Sequence, residues 1–475
     1  MAESNNKKLA VNLGLMFLVF FLPKVFSFFL VPLYTSFLTT EEYGISDLII
    51  NTASLIIPFL ALGSANAVLR FTIENKEDKR PIQISIRILA AGGLLLAIAL
   101  TIVYYAAEIK ASYLLFVFLI SVSSVLSDIG MSYARGEEQM KLITFCGVGS
   151  SLLSILCNIL LIAVFRLGLY GFLVSSVAAY LFNIIVVGLY YSKHALFAGI
   201  LSIKEPQLQK EMLQYSVPLI LSGLAWWVIS SSDRYFVSWL CGAAANGIYS
   251  VAYKIPTILQ TAQSVFNQAW VFTLYDSYKT EEGLRYISRV YSFYSFLITA
   301  GCAFLITLDI PLSRLLYAKD FFLAWRYVPV LLLSIVFTSL GAFMGGFMSV
   351  YKETKFSAKI SVFSAALNIV LNYILIILMD DAMGAAVATA ITFFVYYALN
   401  VYKGIKLSGV KINLKKQAVE FVILICQCIA IVAWGSLLIS GVLLLLLLSI
   451  NIGNIKMALE KLPEIFGRFA FNKHK

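Results

Sequence analysis

Charged residues are scarce in this sequence. Only 13% of its 475 residues are Asp, Glu, Lys or Arg, whereas 60% are hydrophobic. Soluble domains carry roughly 25% charged residues. A chain of this length with so few charges could not cover a water-facing surface, so the composition excludes a soluble protein. It predicts a polytopic membrane protein whose fold is all-α.

Residues that bind metals or form disulfides are also few. The chain has two histidines and six scattered cysteines, with no C-x-x-C pair. This spacing excludes the usual zinc sites and gives no disulfide framework. We expect no metal and no cofactor. The segments between apolar runs are short, which leaves no room for a soluble catalytic domain.

Long apolar runs make up most of the chain. A helix needs about 20 residues to cross the hydrocarbon core, and on this basis the sequence predicts about 14 transmembrane helices. Residues 44–70 and 246–274 are each predicted as one continuous span. The last apolar stretch, 418–455, is too long for one crossing, and Gly435-Ser436 near its middle predicts a turn.

The net charge is +11, and the distribution of the basic residues agrees with the predicted membrane topology. Most basic residues fall in alternate short loops, as the positive-inside rule requires, which places both termini in the cytoplasm. Because the basic residues are spread over these loops, we expect no nucleic-acid partner. Five basic residues fall on the opposite, outer side: Lys110, Arg166, Arg314, Lys319 and Arg326.

Short similarities recur between two halves of the chain. CNILLIAVFRLGLYGFLVSS at 157–176 resembles LNIVLNYILIILMDDAMGAAVAT at 367–389, and EEYGISDLI at 41–49 resembles AANGIYSVA at 244–252. Each half contains six spans, which predicts two parallel, pseudo-symmetric six-helix bundles. The predicted domains are a bundle at 1–191, a cytoplasmic linker at 192–210, a bundle at 211–403, a basic linker at 404–417, a transmembrane hairpin at 418–456 and a cytoplasmic tail at 457–475.

Three cations lie inside the apolar spans: Lys24, Arg234 and Lys254. A charge within the bilayer is costly and usually faces a cavity or a helix interface. Helical steps from these cations reach small polar residues that we predict to line a cavity. These residues are Ser27, Ser230, Thr261 and Gln268.

Two interpretations of the three cations remain open. Lysine and arginine bind phosphate oxygens through charge-assisted hydrogen bonds, so the cations could form a site for a phosphate or diphosphate group. Alternatively, Arg234 or Lys254 could form an internal ion pair with a carboxylate such as Asp47 or Asp233.

Three other charged residues are candidates for accessory roles. Asp128 is the candidate for coupling transport to H⁺ or Na⁺, because burial would make a carboxylate titratable; packing is its simpler role. Arg70 and Arg87 lie at cytoplasmic helix ends, where they could snorkel to the interface or contact the headgroup of an incoming lipid.

Three segments of the sequence resemble segments of a known transporter family. LVPLYTSFLTTEEYGISDLI at 30–49, LALGSANAVLRF at 60–71 and the patch DAMGAAVAT at 381–389 are similar to segments of the polysaccharide transporters, the Wzx-type oligosaccharide flippases. These belong to the multidrug/oligosaccharidyl-lipid/polysaccharide (MOP) exporter superfamily. The resemblance implies a V-shaped, MATE-like pair of bundles with alternating access, and cationic residues in the central cavity.

The resemblance also implies a function that is transport and not catalysis. The expected substrate is an oligosaccharide linked to polyprenyl (undecaprenyl) diphosphate, moved from the cytoplasmic to the outer leaflet of a bacterial plasma membrane. The expected partners are this substrate, a coupling ion (H⁺ or Na⁺), membrane lipids and polysaccharide assembly machinery, with the protein itself a monomer. The alternatives are a lipid II-type flippase, a multidrug exporter of the same superfamily and, in another class, a membrane glycosyltransferase or polymerase.

Overall fold

The computed structural model describes residues 27–192 and 205–456. The described part is helical, with no strand. It divides into two compact units, one ending at Ser250 and the other beginning at Val251. Eleven of the described helices are long and apolar enough to cross a membrane. The predicted all-α membrane fold is therefore confirmed.

In the described part of unit 1 there are nine α-helices, the last of which runs just past Ser250. They are α1 (Val31–Phe37), α2 (Thr40–Leu60), α3 (Ser64–Glu74), α4 (Arg80–Ala107), α5 (Ala111–Gly136), α6 (Met140–Asn158), α7 (Gly168–Tyr191), α8 (Pro206–Cys241) and α9 (Ala243–Ala252). A π-helical turn at Ile159–Val164 extends α6. The buried core includes Ile84 of α4, Ile129 and Tyr133 of α5 and Val68 of α3.

Up to residue 456, unit 2 has eight α-helices and a 3₁₀ helix. They are α10 (Pro256–Ser277), α11 (Glu281–Thr307), α12 (Asp309–Leu316), the 3₁₀ helix (Lys319–Arg326), α13 (Val328–Val350), α14 (Thr354–Met379), α15 (Met383–Ser408), α16 (Leu414–Trp434) and α17 (Leu437–Ile450). Most of α13 is buried, and its neighbours in the unit include α10, α11, α15 and α16.

Two spans predicted as continuous are broken, so that part of the prediction was wrong. Helix α2 ends at Leu60, and Gly63 adopts a left-handed conformation (φ 66°) before α3 begins. Helix α9 ends at Ala252, and Pro256, which has no N–H to donate to the Ala252 carbonyl, begins α10 after a turn. Lys254 therefore lies in a turn, and the helical steps drawn from it to Thr261 and Gln268 do not run along one helix.

The predicted turn in the last apolar stretch is confirmed. Helix α16 ends at Trp434, Gly435 follows with a positive φ of 60°, and the Ser436 hydroxyl accepts a hydrogen bond from the Ile439 N–H at the start of α17. A glycine after a helix and a serine before the next one are the residues that such a connection favours.

The two segments that resemble each other, 41–49 and 244–252, meet within unit 1. Helix α2 begins with a capping box, in which Thr39 and Glu42 exchange hydrogen bonds. A Cβ atom on Gly44 would overlap the carbonyl oxygen of Ala243, and one on Gly247 would overlap the carbonyl oxygen of Thr40. The paired glycines therefore allow the starts of α2 and α9 to touch backbone to backbone.

We predict that Gly44→Ala and Gly247→Ala each destabilise unit 1, because the added methyl group would force the two helix starts apart. Overpacking of this kind costs about 1–3 kcal/mol. Thermal unfolding of the purified full-length protein in detergent measures the effect. Gly188→Ala is the matched control, since Gly188 of α7 has open space around it and alanine favours a helix. Equal melting temperatures for all three variants would contradict the prediction.

Candidate functional site

Two of the three predicted cations, Lys254 and Arg234, lie in the described residues. Lys24 lies outside the described residues. Lys254 is partly buried in the turn between α9 and α10, where its backbone N–H donates to the Val251 carbonyl at 2.9 Å. Arg234 lies two turns before the end of α8. It is the centre of a polar cluster in unit 1.

Arg234 is held between two carboxylates. Its Nε atom lies 3.2 Å from Oδ2 of Asp47 on α2, and its Nη1 atom lies 3.5 Å from Oδ1 of Asp233. The Arg234 side chain is 12% exposed and that of Asp233 is fully buried. Nη1 also donates to the Ser230 carbonyl at 2.8 Å, which uses the candidate lining residue Ser230 through its backbone. Arg234 thus forms the internal ion pairs that were one of the two interpretations of the sequence. Binding of an anion by Arg234 stays a prediction.

Helix α9 supplies three further members of the cluster. The Tyr249 hydroxyl donates to Oδ2 of Asp233 at 2.8 Å, and the Ser250 hydroxyl donates to Oδ2 of Asp47 at the same distance. The Asn246 side-chain amide donates to the Gly44 carbonyl at 3.1 Å. The cluster therefore ties α2 to both α8 and α9 next to the glycine contact.

Additional hydrogen bonds join α8 to the first helices of unit 1. The hydroxyls of Thr52 and Tyr235 lie 2.8 Å apart, and the Trp227 indole N–H donates to the Ser54 hydroxyl at 2.9 Å. Further along α8, the Ser216 hydroxyl donates to the Leu62 carbonyl at 2.7 Å, at the break between α2 and α3. Polar contacts thus follow one face of α8 over most of its length.

The charges of the cluster do not cancel. Two carboxylates, Asp47 and Asp233, surround one guanidinium, which leaves one negative charge if all three groups are ionised. An incoming anion would have to compete with both carboxylates for Arg234. In this structure both carboxylates contact the guanidinium, so the cluster holds helices together.

The remaining candidate residues are spread over both units. Asp128 is exposed on α5, near the Tyr180 hydroxyl of α7. Ser27 is partly buried, the buried Thr261 donates to the Thr257 carbonyl, and Gln268 is exposed on α10. Of the candidate residues that the structure describes, Arg234 and Ser230 lie together in the cluster with Asp47 and Asp233.

Arg70 and Arg87 make contacts with the beginning of α8. The Arg70 guanidinium lies 4.6 Å from the centre of the Tyr215 ring and 3.4 Å from the Glu74 carboxylate, and Arg87 donates to the Gln209 side chain. Nearby in the α3–α4 loop, burial opposes ionisation of Asp78, but hydrogen bonds from Arg80 lower the pKa of this carboxyl below its usual range. A role in contacting lipid stays a prediction for both arginines.

Sequence reasoning missed Asn246, Tyr249 and Tyr235 as members of the cluster. The first two lie in AANGIYSVA, the segment already recognised as similar to 41–49. That similarity was the available signal, because equivalent segments of a parallel repeat can meet near the symmetry axis. No group of three His, Cys, Asp or Glu that could hold a metal occurs in residues 27–192 and 205–456.

We predict that Arg234 and Asp47 are energetically coupled. A double-mutant cycle of Arg234→Gln and Asp47→Asn, followed by unfolding in detergent, should give an interaction energy of about 1–3 kcal/mol, because the pair is largely removed from solvent. The pair Arg70 and Glu74, half exposed at the surface, is the control and should couple by less than about 1 kcal/mol. Additive effects of the Arg234 and Asp47 substitutions would contradict the prediction.

Solved structures of MOP-superfamily transporters have the same fold. A lipid II flippase MurJ in an inward closed conformation matches with a TM-score of 0.65 at 13% identity, over 94% of this chain and 98% of that one. An inward-facing multidrug resistance MATE family transporter of the MOP superfamily matches with a TM-score of 0.63 at 14% identity, over 82% of this chain and 95% of that one. No curated protein matches the sequence.

A family profile covers more than half of the sequence. The profile described as "Polysaccharide biosynthesis protein" matches residues 9–274 of the 475. The match includes two of the three motifs that carry the resemblance, those at 30–49 and 60–71, and all three cations within the spans. The chain belongs to the polysaccharide biosynthesis protein family and has the fold of the MOP-superfamily transporters.

Proposed function

We propose that this protein is a flippase that moves an oligosaccharide linked to polyprenyl (undecaprenyl) diphosphate from the cytoplasmic to the outer leaflet. The observation that carries the proposal is the combination of a polysaccharide biosynthesis family with a transporter fold. A transporter working for polysaccharide synthesis needs a substrate that is made on one side of the membrane and used on the other. A lipid-linked oligosaccharide meets this requirement.

The cations inside the spans would neutralise the diphosphate. Lys24, Arg234 and Lys254 carry the positive charge that such a headgroup needs in a medium of low dielectric constant. If Arg234 takes part, the substrate would compete with Asp47 and Asp233 for its guanidinium. The polyprenyl tail would stay in the lipid while the headgroup crosses, so the protein would bind and release without making or breaking a covalent bond.

Alternating access would open and close the contacts of α2 with α8 and α9. These contacts lie near the outer ends of the helices in the predicted topology, so they would close the outer side in the present conformation and break to release the substrate.

Asp128 is the proposed ion-coupling carboxylate. The proposed setting is a bacterial plasma membrane, with cytoplasmic termini, a monomeric chain and polysaccharide assembly machinery as a neighbour.

Two alternatives within the superfamily rest on specific observations. The excess of carboxylates around Arg234 favours a cationic substrate, as a multidrug exporter would have, if Arg234 keeps its present partners. The similarity to a lipid II flippase favours a lipid diphosphate that carries a cell-wall precursor. The lipid that accumulates when the protein is depleted distinguishes both alternatives from the proposed function.

We predict that depletion of the protein in its native host causes a completed oligosaccharide repeat unit on polyprenyl diphosphate to accumulate. Lipid extraction and mass spectrometry measure this intermediate. The wild-type protein should clear it, whereas Lys254→Gln, expressed at the same level, should clear it at least about tenfold more slowly. The reason is that Lys254→Gln removes one charge from the proposed pair with the diphosphate, and such a loss in a desolvated pair costs more than about 1.4 kcal/mol. Lys359→Gln is the control, because Lys359 is an exposed lysine near the start of α14.

Accumulation of lipid II alone would favour the cell-wall flippase. Unchanged polyprenyl-linked lipids together with a new sensitivity to cationic drugs would contradict the proposed function and favour the exporter. Full clearance by Lys254→Gln would contradict the assignment of Lys254 while leaving the substrate class intact.

A further inference from the structure

Two adjoining cavities open in unit 2 where the start of α11 faces the segment that joins α15 to α16. The smaller has a volume of about 180 Å³ and the larger about 980 Å³. Ser288 and Lys411 line both, so the two cavities form one cleft. The cleft lies in unit 2, whereas the Arg234 cluster lies in unit 1.

The smaller cavity has a polar wall that is fixed in place. Gln417 of α16 is buried and accepts hydrogen bonds from the Tyr397 hydroxyl at 2.6 Å and the Tyr291 hydroxyl at 3.2 Å. Its amide nitrogen lies 3.2 Å from the Ser295 hydroxyl, to which it donates. These bonds tie α11, α15 and α16 together behind the cavity.

A second chain of hydrogen bonds anchors the transmembrane hairpin to the same wall. The buried Glu420 carboxylate accepts from the Asn451 amide at 2.9 Å, and the Asn454 amide donates to the Asn451 side chain at 3.1 Å. Asn454 also donates to the Ser292 carbonyl of α11 at 3.4 Å. The cavity is therefore built from fixed polar groups, as a pre-formed binding site requires.

Four cations surround the cleft: Arg285 and Arg289 of α11, Lys411 of the connecting segment and Lys416 of α16. Among these four, within the part of the chain that the structure describes, only Lys416 has an ion-pair partner, Glu420 at 4.0 Å. Glu281 and Glu282 line the larger cavity as well. The cleft thus has four positive and three negative side chains, and three of its cations are available to a ligand.

The first turn of α16 adds a further attraction for anions. The Asn413 side chain caps this helix by accepting from the Lys416 N–H at 3.0 Å, and Lys411, Asn413 and Lys416 all line the smaller cavity. A helix start carries a partial positive charge and N–H groups without partners in the helix. Lysine side chains and a helix start together match the chemistry of a phosphate group.

The cleft lies at the level where lipid headgroups are found. Helices α11 and α16 are both membrane spans that begin at the cleft, and the predicted topology puts these ends on the cytoplasmic side. Basic pockets between spans on that side bind the headgroups of anionic lipids. A cavity of about 180 Å³ can hold a phosphate group, while the larger cavity leaves room for the rest of a headgroup.

We propose that this cleft is a binding site for the phosphate of a membrane lipid, held by Arg285, Arg289, Lys411 and Lys416 between α11 and the transmembrane hairpin. The lipid is an anionic phospholipid or a polyprenyl phosphate, since both present the same group at this depth. The site would join the hairpin to the bundle through the ligand. It does not depend on the proposed function, because a resident lipid could occupy it in a transporter of any substrate.

Native mass spectrometry of the purified full-length protein in a neutral detergent tests the site. The protein is titrated in separate experiments with phosphatidylglycerol, with a polyprenyl phosphate and with diacylglycerol, which has no phosphate. Arg285→Gln/Arg289→Gln and Lys411→Gln/Lys416→Gln remove the cations in pairs. The first pair is exposed and forms no ion pair in the described residues, so it keeps the test valid if loss of Lys416 unfolds the protein. Lys355→Gln/Lys359→Gln on α14 is the matched control.

The expected result is that a phosphate-bearing lipid binds and that each cleft variant weakens this binding about tenfold or more, as loss of two surface cations predicts. The control should bind like the wild type. Binding of phosphatidylglycerol identifies a resident phospholipid, and binding of the polyprenyl phosphate alone identifies a lipid carrier. Binding that is unchanged in the folded cleft variants, or equal binding of diacylglycerol, would overturn the proposal.

Discussion

Arg234 cannot stand alone inside the membrane, and this constraint organises unit 1. A desolvated guanidinium needs counter-charges, and the chain supplies them from two places, Asp47 on α2 and Asp233 on α8 itself. The partner on α2 lies almost 190 positions away in the sequence. Pairing with Asp47 therefore joins segments that the sequence assigns to different halves, and Tyr249 and Ser250 extend the join to α9.

The ion pair works together with a backbone contact that only glycine permits. Gly44 and Gly247 occupy equivalent places in two similar segments, and each lies against the other helix at a distance that excludes a Cβ atom. A polar cluster needs short distances to be stable in a low dielectric medium. Ion pairs and hydrogen bonds can also break and form again without strain in the core, so this contact suits an interface that must open during a transport cycle.

The sequence predicted the architecture well because membrane insertion leaves few choices. Apolar runs of the right length become helices, and Gly435-Ser436 marked the turn of the last hairpin correctly. Breaks within an apolar run were harder to predict. Pro256 and Gly63 can be seen in the sequence, but whether such a residue ends a helix depends on how the helices pack. The partners of Arg234 were named only as alternatives, because a sequence does not say which of several distant carboxylates comes near. The lipid cleft was not foreseen, since its cations lie in a loop and at helix ends, where topology alone accounts for them.

The most direct test of the account is translocation in proteoliposomes that contain only this protein. An oligosaccharide on polyprenyl diphosphate is placed in the inner leaflet, and its appearance outside is followed by cleavage with a glycosidase that cannot cross the membrane. The account predicts that cleavage proceeds in the presence of the protein, and that Lys254→Gln slows it more than Lys359→Gln does. Cleavage that stays at the rate of protein-free liposomes, with protein that is folded and correctly inserted, would contradict it.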